Sequence, residues 1–389
     1  MRRNVSALLA VLLLAPLAGH SATAPAPAGE TSVAYIGFAC ALTSPVEASV
    51  RIGRSMANAA QLAVNAANRQ KIRINGKQVT FELITQSDNS DLRTAPIVAE
   101  YFVRRGVIGV IGHGNSGTSM AASAVYSRAG IPQLAPSASS RAYTQQGFQT
   151  TFRMVGHTER AGRYLAQYAV KTAGLRRIAV IDNGIASGHA FAETFAQAVR
   201  AQGGNILSHD SVSYKTSDFS NILNAARNGN PDAIFWGGLY DQAVILAQAM
   251  QRLNINIPLI TGANSIISPR FPKDVGALAN RIISLEASQP IERLKGWKSF
   301  QRSYEEEFGS YIDPYAPLAY DAAQVLIAAV RQANSLAPEK ITEALHSIRF
   351  NGLTGAIAFN GEGDLAAPVF SIYELRDQQW QLLQVIDGK

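Results

Sequence analysis

The sequence predicts an α/β protein made of two similar lobes, each with a parallel-sheet core. Three observations lead there. Short β-rich runs alternate with helix-period patterns, the grammar of parallel sheets covered by helices. The alternation begins again beyond residue 155. One composite unit also occurs twice: VIGVIGHGNSG, a helix and IPQLAPS in the first half, then AIFWGGLYDQ, a helix and IPLITGA in the second.

Taken in order, each element rests on its own pattern. MRRNVSALLAVLLLAPLAGHSATAPAPAGE sets Arg2 and Arg3 before an apolar run from Ala7 to Leu17, then small residues and a Pro/Ala stretch. This reads as a secretory signal peptide over residues 1–28, too short for a stable membrane anchor, with cleavage between residues 21 and 28, after Ser21 or Ala28. VAYIGFA (33–39) reads as a strand. From Ser55 to Asn68, the residues Met56, Ala59, Ala60, Ala63, Val64 and Ala67 fall on one helical stripe. VTFELI (79–84) alternates as a strand should, and Thr94 to Arg105 reads as a helix. VIGVIG, a helix from Gly117 to Arg128 and IPQLA complete the first run. The second comprises a helix near 161–172, RRIAVID, a helix over 188–201, NILSHDSVS, a helix over 217–228, DAIFWGG, a helix over 242–253 and IPLITG. After it come a strand-like RIISLEA (281–287), amphipathic helices near 295–308, 316–334 and 338–347, and a tail carrying GAIAFN, VFSIYEL and WQLLQVI. Part of this segment returns to the first lobe, so the chain crosses between lobes more than once and forms a hinge.

At 389 residues, with 47% hydrophobic and 16% charged, the chain can bury sizeable cores. Its formal net charge is +7, or +5 (7 − 2) without Arg2 and Arg3. Lysines and arginines occur in runs no longer than two, which describes a solvated basic surface and not a nucleic-acid footprint. Beyond the leader no segment is apolar enough to cross a bilayer. Cys40 is the single cysteine, so there is no internal disulfide and no cysteine for lipid attachment at a mature N-terminus. Export without disulfides fits a bacterial periplasm.

GHGNSG has the glycine pattern of a dinucleotide-binding turn. That motif needs an acidic residue roughly 20 positions on, and no Asp or Glu occurs between Gly117 and Glu159. The G-x-S-x-G nucleophile elbow fails by one residue, because Gly114-Asn115-Ser116-Gly117 is followed by Thr118. What remains is a strand, a glycine-rich turn bearing Ser116 and a helix start, which offers N–H groups and a hydroxyl to an anion. Ser137-Ala138-Ser139-Ser140 offers the same groups at the end of the next strand, either to hold a carboxylate or to cap the following helix. Ligands of open parallel sheets bind beyond the carboxyl ends of strands. Turns 114–117 with 136–140, and 237–241 with 262–265, are therefore the expected ligand-facing edges. Tyr240 and Asp241, in the turn after WGGL, are placed to close over a ligand from the second lobe. The catalytic inventory is thin. His113, His157, His189, His209 and His346 lack the spacing of a metal motif, and no G-x-x-x-x-G-K-[ST] phosphate loop occurs. His113 lies near Ser116 in sequence, but on a strand-to-turn path that points elsewhere. Asp88-Asn89-Ser90-Asp91 reads as a capped turn before the helix at Thr94, or as a cation site.

Together and in this order, NAAQLAVN (58–65), VIGHGNSGTS, IPQLAPSASS, DFSNIL (218–223), YAPLAYDAAQVLIAA (315–329) and FNGLTGAIAFNGEGD (350–364) resemble the leucine/isoleucine/valine-binding branch of the type I periplasmic binding proteins, the solute receptors of ABC importers. The resemblance covers residues 33–386. It implies two Rossmann-like lobes joined by three crossovers and closing on a ligand like a hinged trap. Residues 31–153 and 285–350 would form the N-terminal lobe, and 154–284 and 351–389 the C-terminal lobe. It further implies a monomer, without catalysis, cofactor or metal, that delivers a small carboxylate-bearing ligand to an inner-membrane ABC permease. That ligand would be a branched-chain or other amino acid, or an amine-free organic or aromatic acid. Carried over by motif, the carboxylate-holding positions fall at Asn115 and Ser116, and at Ser137, Ala138 and Ser139, with a further ligand-facing position at Ile52. The second lobe departs from the pattern. The tyrosine of the D-x4-Y-G turn is Ser187 here, the second-lobe tyrosine falls at Leu239 beside Tyr240, and the acid that holds the ligand's ammonium falls near Asn264. Either Asp241 or Asp182 replaces that acid, or the ligand has no α-amino group. Two other readings stay open: a secreted enzyme using the glycine-rich turn, and a sensor that reports closure to a signalling partner.

Overall fold

Alternating strands and helices build two sheets. The computed structural model describes residues 31–262, 266–276, 281–309 and 311–388, so the leader and Asn264 lie outside the described residues. The first lobe contains β1 (Thr31–Cys40), α1 (Glu47–Arg69), β2 (Arg73–Ile74), β3 (Lys77–Ser87), α2 (Thr94–Arg104), β4 (Gly109–Gly112), α3 (Ser116–Arg128), β5 (Gln133–Ala135) and β6 (Thr151–Arg153). Its sheet has the order β2-β3-β1-β4-β5-β6, parallel except for the short β2. The alanine stripe of α1 is buried as its spacing predicts. Asp91 starts α2, its carboxylate accepting the N–H groups of Arg93 and Thr94 at 2.9 Å. Strand β6 escapes sequence reading because three residues are too few to show alternation.

The second lobe repeats the plan with α4 (Thr158–Gln167), β7 (Arg177–Asp182), α5 (Ala186–Ala201), β8 (Asn205–Ser211), α6 (Ser220–Asn228), β9 (Ala233–Gly237), α7 (Tyr240–Arg252), β10 (Leu259–Gly262), α8 (Phe271–Val275) and β11 (Ile282–Glu286). The chain then adds α9 (Trp297–Phe308), α10 (Ala316–Ala333), α11 (Pro338–Ser347), the hairpin β12 (Phe350–Gly352) and β13 (Gly355–Ile357), and the strands β14 (Val369–Arg376) and β15 (Gln379–Asp387). The second sheet runs β15-β14-β11-β10-β9-β7-β8, parallel from β8 to β11 and antiparallel beyond. Several helices begin away from their sequence-predicted starts, α1 already at Glu47 and α4 at Thr158. α6 starts at Ser220 and not at 217, because Asp218 accepts the Ser220 N–H at 2.9 Å and holds the residues before it in a turn. α7 starts two residues early, so Tyr240 and Asp241 are helical. Leu239 is extended just before them, and Asp241 places its carboxylate where the helix dipole favours it. α5 likewise takes in Ser187.

Three crossings join the lobes: 154–157 after β6, 287–290 after β11, and 358–368 after β13. The first two touch, Gly156 donating its N–H to the Ala287 carbonyl. After the second crossing α10 returns to the first lobe and packs along α1. There the Ser55 hydroxyl oxygen accepts the Asp313 N–H at 2.8 Å, across 258 positions of sequence. Among the described residues no helix is long and apolar enough to cross a membrane.

Candidate functional site

Each sheet reverses direction around its first strand, β1 lying between β3 and β4 and β7 between β8 and β9. A crevice opens beyond the carboxyl ends of the strands at such a switch point. The N-termini of α1 and α3 flank it in the first lobe, and those of α5 and α7 in the second. The two crevices face each other: α3 approaches α5, and α1 reaches the second lobe, where Ala48 joins the apolar cluster of Trp236, Leu246 and Phe271.

The two serine turns of the first lobe are stitched together. Ser137 donates its hydroxyl to the Gly114 carbonyl at 3.1 Å, and the Ser140 N–H donates to the Ser116 hydroxyl oxygen at 3.0 Å. Asn115 is the helix cap, its side-chain oxygen accepting the Thr118 N–H at 2.9 Å. Ser116 and Gly117, in the first turn of α3, have N–H groups without an intrahelical partner. Ala138 is fully buried, while Ser139 is half-buried and its carbonyl accepts the Thr158 N–H at 2.8 Å. Close packing sets the path of the turn. A Cβ on Gly114 would overlap the Cys40 sulfur, and one on Gly53 would overlap the Ala41 carbonyl. Burial raises the Cys40 thiol well above its usual range, so it stays neutral there.

A buried arginine fixes these turns from behind. Arg153, with no exposed surface, donates to the carbonyls of Ala138 at 2.9 Å and Ser140 at 2.7 Å. Its Nε pairs with Asp364 at 2.8 Å, and Asp364 also accepts the Thr144 hydroxyl at 2.8 Å. Asp364 belongs to the turn NGEGD on the third crossing, where the Asn360 side chain accepts the Asp364 N–H and the Gly363 carbonyl accepts the Arg153 N–H. The hinge and the serine turns are one hydrogen-bonded unit.

In the second lobe Tyr240 is buried, and its hydroxyl donates to Asp274 of α8 at 2.9 Å. The Arg51 guanidinium of α1 sits 5.7 Å from the Tyr240 ring centre and 6.0 Å from that of Tyr311, and its buried Nε has no hydrogen-bond partner. Asp241 lies in the same field: burial raises its carboxyl and Arg51 opposes that rise. Ile52, the neighbour of Arg51, is half-buried and packs on the main core. Ser187 is half-buried in the first turn of α5. Asp182 is fully buried and spends its oxygens on Gly184, Ser211, His189 and His209, which leaves none for a ligand's ammonium. His113 is also committed, with Nδ1 2.7 Å from Asp88 and Nε2 3.1 Å from the Tyr126 hydroxyl, so neither nitrogen serves Ser116.

A family model described as a periplasmic binding protein matches residues 34–379. The chain belongs to the periplasmic binding protein family. A Leu/Ile/Val-binding protein homolog from Brucella abortus is 26% identical over 302 residues, which is 77% of this chain and 80% of the relative. A branched-chain amino acid transporter substrate binding protein from Streptococcus pneumoniae, solved with isoleucine, superimposes with a TM-score of 0.81 at 21% identity, over 92% of this chain and 100% of that one. A solute binding protein of an ABC transporter from Rhodopseudomonas palustris, solved with p-hydroxybenzoic acid, gives the same TM-score of 0.81 at 15% identity, over 92% and 98%. These likenesses bear out the two-lobed α/β architecture. Within this periplasmic binding protein, sequence reading passed over Arg51, Arg153 and Asp364. Arg51 looks like one more solvated cation on a helix. The Arg153–Asp364 pair joins positions 211 residues apart, and only the quoted NGEGD turn gave a signal.

Proposed function

We propose that this protein is the solute receptor of an ABC importer, resident in the periplasm after loss of its leader, and that it holds a small carboxylate-bearing ligand between its lobes. The observation that carries the reading is the pair of stitched serine turns at the α3 N-terminus. The turns are tied to each other beside the switch point, Arg153 holds the Ala138 and Ser140 carbonyls behind them, and the first N–H groups of α3 have no intrahelical partner. Ser116 and Ser139 grip the carboxylate, with Asn115, Ser137 and Ala138 shaping the turns around it. Ile52 and Arg51 approach from α1, and Ser187, Tyr240 and Asp241 line the second-lobe side. Isoleucine and p-hydroxybenzoic acid, the ligands held by the two structural neighbours, share a carboxylate and differ in the amine. Burial raises the Asp241 carboxyl and the Arg51 charge opposes that rise, so an ammonium there would share the acid with a second cation.

Unfolding and refolding removes any trapped ligand. Melting temperatures are then compared with leucine, valine, phenylalanine, their amine-free acids and p-hydroxybenzoic acid. A ligand at 100 times its Kd adds about 2.7 kcal/mol to the folded state, which is easily read as a shift. Response to amino acids alone assigns the ammonium to Asp241 or another acid. Response to the amine-free acids alone assigns the cleft to organic or aromatic acids. No response to either series sinks the carboxylate reading.

A further inference from the structure

On the β8 side of β7, three side chains of metal-binding type converge. Asp182 is the last residue of β7, His189 lies in the first turn of α5, and His209 lies on β8 two positions before Ser211, which puts both on the same face of that strand. His189 Nδ1 and His209 Nε2 each lie 3.0 Å from the same oxygen of Asp182, Oδ2. The two rings are nearly parallel, with centroids 5.7 Å apart, and the three donor atoms all lie within 4.8 Å of one another. We propose that Asp182, His189 and His209 bind a late first-row divalent cation of the zinc type on the flank of the second lobe.

The donor set decides the class of ion. Two imidazoles with one carboxylate match Zn²⁺ and its first-row neighbours, whereas Ca²⁺ and Mg²⁺ require oxygen ligands. Ligand atoms about 2.0–2.1 Å from a tetrahedral ion stand roughly 3.3 Å apart, close to the oxygen-to-nitrogen separations seen here. The supporting contacts are those of a built site. The other carboxylate oxygen, Oδ1, accepts the Gly184 N–H at 2.8 Å and the Ser211 hydroxyl at 3.0 Å, which fixes the plane of the carboxylate. His209 turns its remaining nitrogen, Nδ1, to Glu193 at 3.5 Å, the carboxylate–imidazole–metal order that orients a ligating histidine. Asp182 is fully buried and His209 mostly so, while the His189 side chain is 55% exposed, leaving a path for the ion and a fourth position for water. The spacing hides this set from sequence reading: His189 and His209 follow Asp182 by seven and 27 positions, and fold in from a helix and a neighbouring strand. A bound cation would tie the edge strand β8 to β7 and α5.

The test uses untagged protein stripped with a chelator, and it is independent of the solute reading. Calorimetric titration with Zn²⁺ should give one equivalent and a raised melting temperature, and Co²⁺ should give a visible d–d band. His189→Ala, at a half-exposed position, should still fold and unfold cooperatively in chelator, and lose both the Zn²⁺ endpoint and the Co²⁺ band. Glu193→Gln should keep the endpoint and weaken affinity roughly 10–100-fold. Wild-type protein that takes up no Zn²⁺, His189→Ala that binds it as the wild type does, or an equal response to Mg²⁺ would each overturn the assignment.

Discussion

The Ser116 hydroxyl oxygen receives the Ser140 N–H that stitches the turns, and in the function proposed above its O–H is the group that grips the carboxylate. Ser116→Ala should weaken binding of the carboxylate ligand by about 1–3 kcal/mol, read by calorimetry. Unchanged affinity would take Ser116 out of the site. Glu286, at the end of β11, has an effect of a different kind. It is buried, and burial followed by the Asp313 charge pushes its carboxyl up to about 8 against the pull of the Ala287 N–H. In an unfolded chain a glutamate titrates near about 4.3. Between these values the folded state binds more protons than the unfolded one, so stability falls as pH rises through this window and levels off above it. Glu286→Gln should remove that slope. Denaturant midpoints measured from about pH 5 to pH 8 should decline for the wild type relative to the variant, and parallel curves would rule the group out as the source.

The brace between β6 and the third crossing gives the sharpest consequence at the level of elements. Asp364→Ala leaves the Arg153 guanidinium buried without its counter-charge and should cost about 3–5 kcal/mol in denaturant unfolding. Loss of ligand affinity should accompany it, because Arg153 also fixes the Ala138 and Ser140 carbonyls. Wild-type stability in that variant would mean the turns hold themselves. The same elements mark how far the sequence was legible. Strands, helices and the α1 stripe could be read because their periodicity is local, and the serine turns because glycine and serine fall together at a strand end. Arg51, Arg153 with Asp364, and Asp182 with its histidines could not. Each acquires its role only when distant segments are packed side by side, and no periodicity records that. Helix starts slipped at α5 and α7, where the residue before the helix is Ile185 or Leu239 and no side-chain cap marks the boundary.

For the molecule as a whole, the bridge from α1 to α7 is one contact that spans the lobes, beside the approach of α3 to α5. Arg51→Ala should leave both lobes folded, since the buried stripe of α1 is untouched, yet release the Tyr240 and Tyr311 contacts. Small-angle scattering of the ligand-free variant should then show a larger radius of gyration than the wild type. An identical radius would show that other contacts hold the lobes together. The return of α10 to the first lobe has a further consequence, in the order of folding. Ser55 waits for Asp313, 258 positions later, and α1 cannot cover its stripe until α10 exists. Loop closure over such spans is slow, so the chain stays open long after its first strands have formed. The same interleaving means that neither lobe can be cut out as a continuous piece.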